Sequence, residues 1–246
     1  MSAVRAEWVK LRTVRSTWWF TGGALVTMVL VAASNADSDR GALRASGAPH
    51  GSVDAASEAI TAAGWLLVIC GALGLLVATS EYATRSVMVT LACVPSRSRL
   101  MLAKTAVVLL AVFAAGTVIA AIGVASSAPL LREFADVDAA QLTGQIIAIG
   151  AQLALTAVLS LGLGVLVRRT AGALTILFVL LFIVPELLGL LADVLHADVF
   201  NTVADYLPNT AGDRFMHGEV LWGLVGVGWA AAAVLGAIWA LRKRDA

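Results

Sequence analysis

Long apolar runs dominate the chain and alternate with shorter polar segments. Six of these runs are about as long as the roughly 20 residues that an α-helix needs to cross the hydrocarbon core of a membrane. They lie at residues 16–34, 59–79, 105–128, 146–167, 171–192 and 220–241. A membrane β-barrel would instead alternate apolar and polar residues over short strands, and the chain has no such alternation. The pattern predicts an all-α polytopic membrane protein, a single transmembrane domain over residues 1–246 with six transmembrane helices.

The N-terminal segment is more polar, yet it carries an apolar stripe at helical spacing. Trp8 and Leu11 lie on one face, with arginine and lysine on its flanks. This pattern predicts an amphipathic helix over residues 1–15 that lies along the membrane surface among lipid headgroups. Glu7 falls near the stripe, three residues before Lys10, so an i,i+3 ion pair would reduce the cost of placing it there. A basic anchor that only fixes the topology is an equal alternative.

Two longer connections have different patterns. Residues 35–58 are rich in Gly, Ser and Asp, which predicts a solvated loop. Residues 193–219 have apolar side chains at roughly helical spacing up to Pro208. That pattern predicts one short helix on the external membrane surface, ended by the proline.

The composition agrees with a membrane protein, since 60% of the 246 residues are hydrophobic and 13% are charged, against about 25% charged in soluble domains. With six spans, one side of the membrane receives both termini, residues 80–104 and residues 168–170. That side holds thirteen of the 17 basic residues, namely Arg5, Lys10, Arg12, Arg15, Arg85, Arg97, Arg99, Lys104, Arg168, Arg169, Arg242, Lys243 and Arg244. The positive-inside rule therefore predicts that both termini and residues 80–104 are cytoplasmic.

The cytoplasmic stretch SEYATRSVMVTLACVPSRSRL, residues 80–100, has two apolar patches when it is drawn as a helix. Leu91 lies in one patch, Cys93 lies in the other, and Arg85 lies in a polar strip between them. A simple surface helix would have one apolar stripe. We therefore predict a helix that is contacted on two sides, by the bundle and by a cytoplasmic partner, and that ends at Pro95.

Glu186 is an ionisable residue inside a predicted span, and it directly follows Pro185 in the fifth one. A carboxylate at the centre of a bilayer costs about 3 kcal/mol on insertion scales, so it should face the bundle interior, a water-filled cavity or a partner. Pro185 lacks a backbone N–H and favours a kink at the same place. Glu186 could line a substrate path or take part in gating, or it could be protonated and hydrogen-bonded or wetted near the surface.

Small residues recur every four positions in the last span. They are Gly228, Ala232, Gly236 and Ala240. Such a stripe lets another helix approach closely, which favours association in lipid. It predicts a packing seam, either within the bundle or between subunits.

Patterns for catalysis and metal binding are not found. Lys10, Lys104 and Lys243 all lack the glycine that precedes the lysine of a nucleotide-binding P-loop. The three histidines form no His-Glu-x-x-His motif, and the two cysteines have no nearby histidines with which to bind zinc. We therefore expect neither an enzyme nor a cofactor or metal site, and no nucleic-acid partner.

Three stretches of the chain carry a resemblance to a known family. They are AEWVKLRTVRSTWW (residues 6–19), SEYATRSVMVTLACVPSRSRLMLAK (residues 80–104) and YLPNTAGDRF (residues 206–215). In this order they resemble the entry helix, the cytoplasmic element and the external segment before the last span in permease subunits of type-2 ATP-binding-cassette (ABC) exporters. The span layout matches that of the small bacterial members, so the resemblance covers essentially the whole chain.

The resemblance implies a coupling helix between spans two and three that docks into a groove on a separate ATPase subunit. The residues that it assigns to ATPase coupling are Glu81, Tyr82, Arg85, Pro95, Arg97 and Arg99, with Glu7, Trp8 and Lys10 in the entry helix beside them. ATP would be bound by that partner, which accounts for the missing P-loop. The resemblance further implies a second permease subunit, identical or paralogous, in a bacterial cell membrane, and export of a hydrophobic or amphipathic substrate.

Two other functions are compatible with a six-span protein. An ion-coupled secondary transporter would need several intramembrane ionisable residues and would be favoured by internal repeats, whereas Glu186 stands alone and no repeat is evident. A non-transporting membrane component of a sensing or immunity complex could keep both the fold and the docking helix.

Overall fold

The computed structural model of the protein describes residues 3–83, 97–131, 134–136 and 138–244. Helices make up 89% of it, and six helices of the described chain are long and apolar enough to cross a membrane. The predicted all-α architecture with six spans is therefore confirmed. The predicted coupling helix between the second and third spans falls on residues 84–96, which lie outside the described residues.

A short N-terminal helix precedes the spans, and each predicted span lies within one long helical segment. The helices are α1 (Ala3–Thr13), α2 (Arg15–Ser46), α3 (Ser57–Ala83), α4 (Arg97–Leu131), α5 (Ala139–Val167), α6 (Thr170–Leu195), α7 (Val199–Asp205), α8 (Pro208–Met216) and, after a 3₁₀ turn (Val220–Trp222), α9 (Gly223–Arg244). The six spans are α2, α3, α4, α5, α6 and α9. We call the end of the bundle that carries α1, the start of α4 and the end of α9 the basic end.

Helix α5 forms the centre of the bundle, since 72% of its apolar segment is buried against 11% for α6. Neighbouring backbones approach it closely because small residues face each other. A Cβ atom added at Gly74 of α3 would collide with the backbone of Ala157, and one added at Gly162 would lie 2.7 Å from the Cβ of Ala233 in α9. Apolar side chains gain little by leaving lipid, so close packing of this kind is a principal force that holds membrane helices together.

The connection predicted as a solvated loop, residues 35–58, is largely helical. Helix α2 continues to Ser46 because Ala32 and Ala36 extend its buried stripe, and both are fully buried. Gly47 then ends the helix in the left-handed conformation, with φ 66°. The Asp and Ser residues that suggested a loop lie mainly on the exposed face of this extension.

A two-residue parallel strand pair adds to the helical fold at the end opposite the basic end. Val53–Asp54 (β1) pairs with Ala135–Asp136 (β2). The carboxylate of Asp54 also accepts hydrogen bonds from the side-chain amides of Gln141 and Gln145 in α5. These contacts join the connection before α3 to the connection before α5.

Helix α6 contains a π-helical turn in its middle. The turn spans Val179–Ile183, and the N–H of Val184 donates to the carbonyl of Val179, five residues earlier. Pro185 follows immediately and has no N–H to donate to the regular α-helical ladder. The irregular turn therefore lies next to the proline for which a kink was predicted.

The segment before the last span forms two helices rather than the single surface helix that its pattern suggested. Pro208 ends the first pattern, but it also occupies the first turn of α8, where its missing N–H costs nothing. Ala211 and Gly212 of α8 are buried, and a Cβ at Gly212 would collide with the side chain of Gln152 in α5. Helix α8 therefore packs onto the end of the bundle.

The close contact between α3 and α5 gives a stability prediction. Replacing Gly74→Ala should destabilise the protein by about 1–3 kcal/mol, because the new methyl group meets backbone that must move. Gly64→Ala, on the same helix but with no heavy atom within 4 Å of its added Cβ, should leave stability unchanged or slightly raise it. Thermal unfolding of both variants in detergent measures the difference, and equal melting temperatures would contradict this packing.

Candidate functional site

A buried ion pair attaches the N-terminal helix to the bundle at the basic end. The carboxylate of Glu7 in α1 lies 3.4 Å from Nζ of Lys104 in α4, and the two side chains are only 5% and 6% exposed. Both residues are charged groups removed from water, so each depends on the other for compensation. The pair therefore fixes α1 against the start of the third span.

The same two side chains reach two further groups. Lys104 Nζ donates to the backbone carbonyl of Val77 in α3, at 3.4 Å. Glu7 also accepts a hydrogen bond of 3.1 Å from Lys10, the i,i+3 partner that the sequence suggested. The Lys10 side chain is about half exposed, so this second pair is more open to solvent than the first.

A second polar contact, two residues after Val77 on α3, joins α3 to α6, the fifth span. The hydroxyl of Thr170, at the start of α6, donates to the hydroxyl of Thr79 over 2.9 Å. Thr79 is buried and itself donates to the carbonyl of Leu75. The last turns of α3 are thereby held both from α4 and from α6.

We call the group formed by Glu7, Lys104, Val77, Thr79 and Thr170 the basic-end junction. It connects four helices, α1, α3, α4 and α6, through polar contacts. Helix α3 ends at Ala83, four residues after Thr79, and α4 begins at Arg97, seven residues before Lys104. The junction therefore lies within two helical turns of both helix ends.

Sequence reasoning missed Lys104 because it counted the residue as one of several basic loop residues. Hydropathy assigns such a lysine to the membrane boundary, and helical periodicity does not identify the helix that packs beside it. A usable signal was present in Glu7, an acidic residue next to an apolar stripe. An acid in that position requires a buried basic partner in addition to the exposed Lys10.

Four of the six residues predicted to contact the ATPase belong to the part of the chain that the structure describes. Positions 81 and 82 belong to the last turn of α3, and position 97 begins α4, so Glu81, Tyr82 and Arg97 flank the segment in between. Arg99, in the first turn of α4, is exposed. Arg85 and Pro95 lie outside the described residues.

Trp8 of the entry helix lies beside the junction, and its side chain is partly exposed. It lines an apolar cleft of about 270 Å³ between α1 and the first three spans, together with Trp18 at the start of α2. The indole N–H of Trp18 donates to the carbonyl of Arg12 over 3.0 Å. This hydrogen bond closes the corner between α1 and α2.

Pro185 and Glu186 lie far from the basic-end junction, in the half of α6 that follows the π-helical turn. The Glu186 side chain is exposed on the surface of the bundle, and Leu187 beside it is 54% exposed. Within a single copy of the described chain, this carboxylate therefore faces outward rather than into the bundle.

The predicted stripe of small residues in the last span is divided between two environments. Ala240 is buried and Gly236 faces Leu166 of α5, whereas Gly228 and Ala232 are exposed. The contact with α5 is made mainly by a neighbouring row that includes Ala233. The exposed half of the stripe remains available to another chain.

Groups of three or more His, Cys, Asp or Glu residues that could hold a metal ion do not occur among the described residues.

The chain was also compared with known protein families and with curated proteins. The family model for the ABC-2 family transporter protein matches residues 3–186, from α1 into α6, and so includes all members of the basic-end junction. A search of curated proteins returned no match.

The ion pair of the junction can be tested with a double-mutant cycle. Glu7→Gln or Lys104→Met alone should each lower stability by about 3–5 kcal/mol, because a buried charge loses its oppositely charged buried neighbour. The double variant should cost clearly less than the sum of the two, since both charges of the pair are then removed. Arg99→Met, an exposed basic residue on the same helix, is the matched control in the thermal unfolding assay. Additive losses would mean that the two side chains do not interact.

Proposed function

The chain belongs to the ABC-2 transporter family, and from this premise we propose that it is the permease subunit of an ABC exporter whose ATP is hydrolysed by a separate ATPase subunit. The chain itself is a multi-pass membrane protein of the ABC permease type. The ATPase partnership, the outward direction of transport and a bacterial cell membrane as its location are parts of the proposal. The substrate we propose is hydrophobic or amphipathic, because the spans are built mostly from Ala, Val and Leu.

The observation that carries the proposal is the basic-end junction beside residues 84–96. In a permease driven by a separate ATPase, force enters through a segment that contacts the partner and must be passed on to the spans. Here the helices on both sides of that segment, α3 and α4, are tied to each other through Lys104 and Val77, and to α1 and α6 through Glu7 and Thr170. A buried ion pair suits this role, because it resists separation and keeps one geometry.

The orientation follows from charge. Thirteen of the 17 Lys and Arg residues belong to segments on the side of the termini and residues 80–104, and by the positive-inside rule this side is proposed to face the cytoplasm. An ATPase acts on cytoplasmic ATP. The proposed orientation therefore brings the junction and the ATPase to the same side of the membrane.

A second permease subunit is proposed to cover the outer surface of α6. Only 11% of the apolar segment of α6 is buried within one copy, the lowest value among the six spans. Its exposed face includes Glu186, and a carboxylate in contact with lipid tails is unfavourable by about 3 kcal/mol. A facing subunit would supply both apolar contacts and either a polar partner or a wetted pathway for this residue.

The coupling role can be tested by charge reversal at the proposed contact. In membranes that contain the permease and a co-expressed ABC ATPase partner, the variant Glu81→Arg with Arg85→Glu should recover at least about tenfold less ATPase, because contacts between opposite charges become repulsive. Arg44→Glu, an exposed charge reversal in the last turn of α2, should recover the ATPase like the unmodified protein. Co-purification by a tag on the permease provides the measurement. Full ATPase recovery by the double reversal would contradict the proposed contact.

The dimer face can be tested by cysteine crosslinking in membranes. In a variant without the two native cysteines, Leu187→Cys on the exposed face of α6 should form a disulfide-linked dimer with a second copy or a paralogue carrying the equivalent change. Leu110→Cys, about equally exposed on α4, is the control and should remain monomeric. Non-reducing gel electrophoresis distinguishes the two products. Crosslinking at Leu110 with none at Leu187 would place the interface on another face.

A further inference from the structure

The apolar cleft beside Trp8 is bounded by four helices. Helix α1 covers one side, and α2, α3 and α4 supply the rest of its lining. Along α4 the lining extends from Ala111 to Ile119, eight residues or about 12 Å of helix. Its walls at that depth are apolar, with Ile69 and Ala24 among them. Such a space, in a membrane, suits a hydrocarbon chain.

An acyl chain alone would gain little from this cleft, because the surrounding lipid is equally apolar. Selective occupancy therefore depends on what lies at the entrance. Towards the basic end the lining includes Arg12 and the indole side chains of Trp8 and Trp18. Tryptophan prefers the headgroup level of a bilayer, and arginine binds phosphate through two parallel hydrogen bonds.

The charge at the entrance is positive and is not neutralised by the described part of the protein. Glu7, the acidic residue of α1, is committed to Lys104 and Lys10. No carboxylate of the described residues forms an ion pair with Arg12 or with Arg15 beside it, and both arginines are exposed. The site therefore favours a ligand with a negative headgroup over a zwitterionic one.

We propose that this cleft is a binding site for one anionic phospholipid, with an acyl chain between α2, α3 and α4 and its phosphate on the guanidinium of Arg12. The lipid lies between α1 and the spans, so it supports the same helix that the Glu7–Lys104 pair attaches to α4. The proposal concerns a resident lipid rather than a transported one, and it does not rest on the ATPase partnership.

Native mass spectrometry of the full-length protein tests the site. The protein, purified in detergent, is offered equal amounts of phosphatidylglycerol and phosphatidylcholine with identical acyl chains. We expect one tightly retained phosphatidylglycerol per chain. Arg12→Gln should weaken its retention about tenfold, because a charged hydrogen-bonding partner is lost. Arg5→Gln, an exposed arginine of the same helix outside the cleft, should have little effect.

A second pair of variants tests the position of the acyl chain. Ala115→Leu places a larger side chain in the cleft and should abolish retention, whereas Ala114→Leu, exposed on α4 and outside the lining, should not. Ala111→Leu fills the same cleft and replaces Ala115→Leu if that variant does not fold. Equal retention of both lipids, no effect of Arg12→Gln relative to Arg5→Gln, or no effect of the filling substitutions relative to Ala114→Leu would each overturn the proposal.

Discussion

Close contact between helix backbones along α5 is the constraint on which the rest of the structure depends. Membrane helices lack the strong drive that water gives to soluble cores, so their distance and rotation are set by where small residues let them touch. Gly74 against Ala157 and Gly162 against Ala233 set these quantities for α3 and α9. Val77 and Thr79 follow Gly74 within two turns. They meet Lys104 and Thr170 because the glycine contact has already fixed the position of α3.

The two ends of the bundle use polar contacts of different kinds. At the end opposite the basic end, side-chain amides of α5 hold the connections, with Gln152 donating to the carbonyl of Pro208 over 3.0 Å and Gln145 donating to the carboxylate of Asp54, and a partly exposed ion pair joins Arg214 to Asp205. At the basic end the central contact is an ion pair between buried side chains. A neutral hydrogen bond contributes about 1 kcal/mol to stability, whereas breaking a buried pair costs several times more. Movement of one helix should therefore be coupled to movement of its neighbours more strongly at the basic end than at the other end.

Hydropathy was sufficient to predict the six spans and the separate N-terminal helix, because a run of about 20 apolar residues has few alternatives in a membrane protein. Contacts between distant segments were not predictable in the same way. Lys104 lies 97 positions after Glu7. The two belong to different helices, so the periodicity of one helix cannot relate them. Composition also misled at residues 35–46, where exposed Asp and Ser concealed a buried alanine stripe. The face that a span packs against the bundle depends on the helix beside it, which the sequence of the span does not contain.

The π-helical turn of α6 sets the directions in which the side chains of the following helical segment, Val184–Leu195, point. Such a turn holds an extra residue, so side chains beyond Ile183 are rotated by about 100° relative to the same sequence in an uninterrupted α-helix. A helical wheel drawn through the whole fifth span therefore assigns Glu186 to the wrong sector. The direction in which that carboxylate points is set by a five-residue turn that ends three positions before it. A substitution that restored α-helical geometry in the turn would therefore rotate the acid without changing it.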